Sequence, residues 1–248
     1  MFSNCRVRII RNKMQPIGLI KSCFKEKFGI PRQSGLIPTA EASLQLLPPY
    51  ACAAAVRGLE EFSHIWIIFL FHALPSNIRH PTVRPPRLGG NRRIGVFASR
   101  SPFRPNAIGI SAVRLLGIDK KPDKKPNDII LHLGGVDLLD GTPVLDIKPY
   151  LPYTDAIPNA HAGFAQLPPQ ATIQVCYAAT AKTFLETLEP PIKALKLRNL
   201  ITEIIAYDPR PATSSKISFG MRLLEYEVSW IQETNIATVT DIVPVNVA

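Results

Sequence analysis

"FSHIWIIFLFHAL", Phe62 to Leu74, holds the longest apolar run of the chain in its middle, the seven residues Ile65 to Phe71. That run is rich in β-branched and aromatic side chains and has the length of a buried strand, well short of the ~18 residues a membrane span needs. It reads as a central strand buried on both faces. Working outward, "PIGLIKSC" (Pro16–Cys23) reads as an earlier strand. "RIGVFAS" (Arg93–Ser99), "GISAVRLLGI" (Gly109–Ile118) and "DIILHLGGVDLL" (Asp128–Leu139) read as later ones. Asp140-Gly141 is a strong hairpin signal leading into "TPVLDIKPYL". Strand follows strand with no helical segment between, so the expected fold is mainly β: an antiparallel barrel or sandwich, not a doubly wound sheet.

From about Phe164 the texture changes. "QLPPQA" looks like a linker, and apolar residues then recur at helical spacing: Leu185, Leu188, Ile192, Leu195, then Leu200, Ile201, Ile204, Ile205. Pro190 and Pro191 split this stretch into two helices, Pro191 being acceptable in a first turn. "MRLLEYEVSWIQE" and "IATVTDIVPV" then read as a closing pair of strands. The expectation is a β-barrel-like domain over 14–165 and a small α+β domain over 166–248.

The 248 residues suffice for one large or two modest cores, and 46% hydrophobic against 19% charged residues reads as globular. A net charge of +10 and a pI near 9.6 favour a polyanion as partner, nucleic acid above membrane surface. Cys5, Cys23, Cys52 and Cys176 are scattered without a CxxC pair, which argues against zinc and a disulfide framework and fits a reducing cytoplasm. The basic "MFSNCRVRIIRNKM" has neither a long apolar core nor a cleavage site behind it. It reads as a frayed extension, an upstream start before Met14 or a minor RNA-contacting arm, in preference to a signal peptide.

The charge is concentrated in "RPPRLGGNRRIGVFASRSPFRPNAIG", Arg84 to Gly109, with six arginines, four prolines and no acid. Between Glu61 and Asp119 there are eight arginines and neither lysine, Asp nor Glu. Uncompensated guanidinium at this density points to an anionic partner, and the prolines reduce the entropy lost on binding. The stretch reads as a stiff anion-binding lip. "IPRQSG" (Ile30–Gly35) offers further fork donors in Arg32 and Gln33. Asp137 sits mid-strand among Val and Leu, where a carboxylate is costly unless paired or used; pairing with an arginine of the lip and use in chemistry are both open. Asp140 has a simpler account as a turn former. His72, at the end of the central strand, is the site candidate among the histidines, while His64, His80, His132 and His161 read as ordinary. HExxH, GxSxG, P-loop and GxGxxG patterns are missing, so a Rossmann reading fails.

Five motifs in order carry the reading further: "FKEKFGIPRQSGL" (Phe24–Leu36), "AVRGLEEFSHIWIIFLFH" (Ala55–His72), "VRPPRLGGNRRIGVFASRSPFRPNAIGIS" (Val83–Ser111), "DLLDGTPVLDIKPYLP" (Asp137–Pro152) and "DPRPA" (Asp208–Ala212). Together they resemble the TrmO family, also called TsaA or YaeB, over roughly Pro16 to Ala212. The resemblance implies a methyltransferase built on a single-sheeted antiparallel β-barrel that uses S-adenosyl-L-methionine to methylate N6 of threonylcarbamoyladenosine at position 37 of threonine tRNA. It implies cofactor contacts at Pro31, Arg32, Gln33, His72, Ala73, Arg100, Ile110, Leu138, Leu139, Asp140 and Gly141, and a homodimer without metal or membrane. Ala73 follows His72, so a contact there runs through backbone. Thr213 follows "DPRPA" where the family often has Tyr, which argues against base stacking at that point.

On this reading Arg84, Arg87, Arg92, Arg93, Arg104 and Arg210 contact tRNA, with the lip on the anticodon-loop phosphates. Asp137 or Asp140 is a hypothetical base, since the accepting nitrogen is a poor nucleophile until it loses its proton. The alternative from a different class is a non-catalytic tRNA-binding or RNA-binding protein that works through the lip alone. A third reading, an enzyme acting on a small acidic metabolite, would show no salt-dependent RNA affinity.

Overall fold

The computed structural model describes residues 14–75, 80–121, 128–211 and 214–245. The N-terminal arm, Arg79, and Ala212 and Thr213 at the end of "DPRPA" lie outside the described residues. In chain order the first strands are β1 (Gly18–Ser22), β2 (Glu41–Leu46) and β3 (His64–Leu70), then a two-residue ribbon of β4 (Thr82–Val83) and β5 (Ile94–Gly95). β6 (Ile108–Lys121), β7 (Asp128–Gly134) and β8 (Pro143–Pro149) follow. Six of these close a barrel in the order β1-β2-β7-β6-β3-β8, every pairing antiparallel. The mainly β expectation therefore holds.

The barrel works by alternation. Ile65, Ile67 and Phe69 of β3 point inward among Ile20, Leu44, Val113, Leu131, Leu133 and Val144, while His64, Trp66, Ile68 and Leu70 are more exposed. The central strand is thus buried on one face, not on both. Closure explains this: a barrel strand has hydrogen-bonded neighbours on either side but only one dry face.

Three further expectations need correction, and one strand was not expected. "RIGVFAS" contributes only Ile94–Gly95 before a 3₁₀ turn at Val96–Ala98, because the Ser99 amide and hydroxyl both bond the Val96 carbonyl (3.2 and 2.8 Å) and close the chain on itself. β7 stops at Gly134, and Gly135 adopts a φ of 69°, so Asp137 lies in the β7–β8 connection and not mid-strand. Asp140-Gly141 makes a turn but no hairpin, since β8 pairs with β1 and β3 and never with β7. β2 has no counterpart in the pattern reading. "EASLQL" lacks β-branched residues, and its strand form comes from pairing with β1 and β7.

The C-terminal part holds, after a one-turn α1 (Pro152–Asp155), β9 (Gln174–Tyr177), α2 (Ala179–Glu186), α3 (Pro191–Ala206), β10 (Ser218–Leu223), β11 (Tyr226–Glu233) and β12 (Ile236–Pro244). The helix split at Pro190-Pro191 is as expected. Ile192 and Leu195 are nevertheless exposed, and the packed face is Leu197, Leu200, Ile201, Ile204 and Ile205. "MRLLEYEVSWIQE" is two strands, turning where Leu224 takes a φ of 53°, and the sheet order is β10-β11-β12-β9 with β9 parallel to β12. One buried core runs from barrel to sheet through Cys23 and Phe24, and Phe24 bridges to Leu223. Thr39 Oγ1 donates to Glu203 of α3 at 2.7 Å, and the Arg222 amide donates to Glu26 at 3.0 Å. The loop that follows β1 is therefore held from both sides.

Candidate functional site

That loop forms one wall of a cavity of about 650 Å³ at the end of the barrel. Ile30, Pro31, Arg32 and Gln33 come from the loop, Phe69 and Phe71 from the end of β3, and Phe97, Ser99, Arg100, Pro102 and Arg104 from the lip. Ile110 and Ser111 come from β6, and Asp137 from the β7–β8 connection. Gly109 makes room for this wall: a methyl there would stand 2.8 Å from Phe69 Cε1 and nearer still to Cζ.

The lip is stiffened from within. Arg104 Nη1 donates to the Ser99 and Val96 carbonyls (2.7 and 3.3 Å), and its guanidinium lies 5.9 Å from the Phe97 ring centroid. Arg100 Nη1 donates to Gln33 Oε1, and Gln33 Nε2 donates to the Arg32 carbonyl, tying lip and loop together across the cavity. Arg87 donates to the Leu167 carbonyl, which fixes the lip's outer edge. Among the described residues, no carboxylate lies within ion-pair distance of Arg32, Arg84, Arg87, Arg92, Arg93, Arg100 or Arg104. The guanidiniums of Arg87, Arg100 and Arg104 are met by backbone carbonyls and by Gln33 rather than by paired carboxylates.

Asp137 is the cavity's only carboxylate among its lining residues, and its Oδ1 is buried without a hydrogen-bond partner. Burial pushes its carboxyl up to about 6; the Ser111 hydroxyl, backbone groups of Asp137 and Ser34, and the charge of Arg100 pull the other way without offsetting it. Pairing with an arginine, one of the two readings left open by the sequence, is not made at ion-pair distance. Asp140 is different. Its Oδ1 accepts from the Ser22 amide at 2.8 Å and its Oδ2 meets Lys25 Nζ at 3.0 Å, so its carboxylate ties β1 to the turn.

Of the sequence-predicted cofactor residues, Pro31, Arg32, Gln33, Arg100 and Ile110 line the cavity together. His72, Ala73, Leu138, Leu139, Asp140 and Gly141 form an adjoining turn region. Thr142 Oγ1 lies 3.5 Å from His72 Nδ1 and donates to the Leu139 carbonyl at 2.6 Å, and Leu138 is buried. Phe71 and Asp137, which line the cavity, lead directly into these two segments. Arg210 stands apart from the other arginines: it pairs with Asp208 through two nitrogens (2.6 and 2.7 Å) and lies over Phe219. The aromatic lining of Phe69, Phe71 and Phe97, and the hydroxyl of Ser111, went unread in the sequence. Phe69 and Phe71 were hidden in an apolar run, where only the strand's end distinguishes a cavity wall from core.

Two family models match this chain, the tRNA-methyltransferase O N-terminal domain over residues 19–156 and the TrmO C-terminal domain over 170–245. The chain belongs to the tRNA-methyltransferase O family. It is 47% identical over 222 residues to the tRNA (adenine(37)-N6)-methyltransferase of Escherichia coli, covering 88% of this chain and 92% of that protein. A relative from Pseudomonas aeruginosa with S-adenosylmethionine in its name is 45% identical over 226 residues, again with 88% and 92% covered. Two crystal structures of TrmO from Pseudomonas aeruginosa superpose with TM-scores of 0.75 and 0.73 at 39% identity, covering 96% and 94% of this chain and 99% and 98% of theirs. The agreement extends over barrel and C-terminal sheet alike, so this TrmO-family chain has the fold of an enzyme that transfers methyl groups.

Proposed function

We propose that this chain methylates N6 of adenosine 37 in a tRNA, with S-adenosyl-L-methionine as donor and the threonylcarbamoyl form of the adenosine as acceptor. The observation that carries the reading is Asp137 Oδ1, a buried and unsatisfied acceptor inside an aromatic, arginine-rimmed cavity. The lining suits the donor's three parts: a purine against the phenyl rings, a carboxylate facing Arg32 and Arg100, and a sulfonium near the rings and the Asp137 carboxylate. When bound, the donor supplies an electrophilic methyl group.

The chain's own residues do the rest. Pro31, Arg32, Gln33, Arg100 and Ile110 hold the donor, with His72, Ala73 and Leu138 to Gly141 as the adjoining turn. Asp137 Oδ1 takes the proton from the acceptor nitrogen, while Asp140 stays in its structural pair with Lys25. A base of this kind contributes about 10²–10⁴-fold in rate, and the fixed geometry of the cavity contributes through orientation. Arg84, Arg87, Arg92, Arg93 and Arg104 face the anticodon-loop phosphates. The threonyl carboxylate of the acceptor is the alternative partner of Arg100. Exposed Tyr153 and Ile157, outside the cavity lining, supply apolar surface for a homodimer working in the cytoplasm. Residues 14–165 act as the methyltransferase domain and 166–248 as an auxiliary tRNA-binding domain.

The test is methyl incorporation from labelled S-adenosylmethionine into threonine tRNA with and without its threonylcarbamoyl group. Label confined to the modified tRNA supports the whole reading. Label in both rejects the acceptor assignment. Tight tRNA binding without label rejects catalysis and leaves an RNA-binding protein.

A further inference from the structure

A second, smaller pocket adjoins the cavity. It is lined by His80, Thr82, Val83, Arg84, Arg93 and Phe103 and has a volume of about 290 Å³. Its position follows from a simple alternation along the lip: Pro102 and Arg104 line the large cavity, and Phe103 between them lines the small pocket. The segment Pro102–Arg104 is thus a wall shared by two adjacent binding spaces.

The floor of the small pocket is the β4–β5 ribbon, in which Thr82 pairs with Gly95 and Val83 with Ile94. That register sets Arg84 and Arg93 side by side at the ribbon's end. Arg93 Nη1 donates to Thr82 Oγ1 at 3.0 Å, which fixes one guanidinium, while Arg84 stays exposed at the mouth. Neither has a carboxylate within ion-pair distance among the described residues. Two neighbouring, unneutralised guanidiniums want a divalent or bridging anion. The adjacent phenyl ring wants a flat apolar or π surface. A phosphate joined to an aromatic base has both, and the volume, at the small end of ligand sites, suits one nucleotide.

We propose that this pocket holds a nucleotide of single-stranded RNA next to the one whose base enters the cavity, its base against Phe103 and its phosphate between Arg84 and Arg93. The inference rests on the tRNA reading above and deepens it. Splaying adjacent bases into separate pockets is how a protein takes hold of an unpaired loop, and stacking on an aromatic ring accepts any base. Pro102 and Pro105 keep the dividing wall rigid, so a strand entering one pocket presents its neighbour to the other.

The experiment uses the full chain and an RNA stem–loop carrying the acceptor adenosine, with 2-aminopurine placed on one side of it or the other. We expect a fluorescence change on binding at one flanking position only. Phe103→Ala should abolish that change and weaken RNA binding about tenfold, leaving S-adenosylmethionine affinity unchanged, and Phe103→Tyr should restore both. Arg93→Ala should lower the salt slope of binding by about 0.7, which keeps the test alive if Phe103→Ala melts early. An unaltered fluorescence change and affinity in Phe103→Ala and Arg93→Ala, with methylation intact, would overturn this inference and the phosphate role of Arg93, and leave the methyl-transfer reading standing. Failure of the wild-type chain to bind the stem–loop would instead overturn the tRNA reading, and the pocket assignment with it.

Discussion

Arg100 and Gln33, 67 residues apart in sequence, are hydrogen-bonded across the mouth of the cavity. The bond closes a gap between two loops that share no backbone hydrogen bond among the described residues, and Arg100 is exposed with Gln33 half-buried. We assign the bond to the donor site proposed above. Gln33→Ala and Arg100→Ala should each weaken S-adenosylmethionine binding about tenfold, the scale of a lost hydrogen bond to a charged group. Thermal stability should change little. Calorimetric titration paired with a melting curve checks both halves, and undiminished affinity in both variants would remove these two residues from the donor site.

Asp137 couples stability to pH in the opposite sense from an ordinary salt-bridged carboxylate. Its carboxyl, ordinarily near 3.8, is pushed up to about 6 by burial, so the native state favours the protonated form. Below the unfolded value the group costs nothing; as pH rises through about 6 the stability is lost, because the native chain must then hold a buried anion. Asp137→Asn should therefore be more stable than wild type at pH 8, by at most about 3 kcal/mol, with the difference vanishing near pH 4. Denaturant titrations at the two pH values measure it. The same variant should lose about 10²–10⁴-fold in turnover, and the wild-type rate should climb as pH passes about 6. Full turnover in Asp137→Asn would eliminate the proton-transfer role.

Gly109→Ala probes the inner wall. The added methyl meets the Phe69 ring at 2.8 Å or less, so the ring must rotate or the strands β3 and β6 must part. Overpacking of this kind costs about 1–3 kcal/mol. Because Phe69 also lines the cavity, the donor's affinity should fall along with stability. A normal melting temperature with normal affinity would show that the ring has somewhere else to go.

How much of this was legible in the sequence depends on which interactions decide each element. Strands with a continuous apolar or alternating pattern, such as β3 and β6, announce themselves locally, and so does the helix break at Pro190-Pro191. β2 does not, because Glu41–Leu46 is held as a strand by its neighbours on both sides and not by its own propensities. The Asp140-Gly141 turn is visible as a turn, but its partners are set by barrel closure, which no local signal encodes. Within the site, charge was legible and burial was not. The unpaired arginines could be counted. That Asp137 has an orphaned oxygen while Asp140 is spent on Ser22 and Lys25 needs three-dimensional neighbours.

The lip arginines make the last prediction, and their surroundings separate two effects. Arg92 is exposed with no carboxylate within ion-pair distance among the described residues, so Arg92→Ala should touch only long-range attraction and phosphate contact. Arg87 also donates to the Leu167 carbonyl, where the turn Pro86–Leu88 meets the segment Gly163–Ala165, so Arg87→Ala should in addition loosen that junction. Each phosphate contact to a single-stranded loop contributes about 0.7 to the salt slope of binding. The double variant should therefore bind tRNA with a slope lower by about 1.4, across sequences alike, and with unchanged affinity for S-adenosylmethionine. Proteolysis near residues 163–167 should rise in Arg87→Ala and not in Arg92→Ala. Filter binding over a range of potassium chloride concentrations reads the slope, and an unchanged slope in the double variant would mean that the lip faces something other than the RNA backbone.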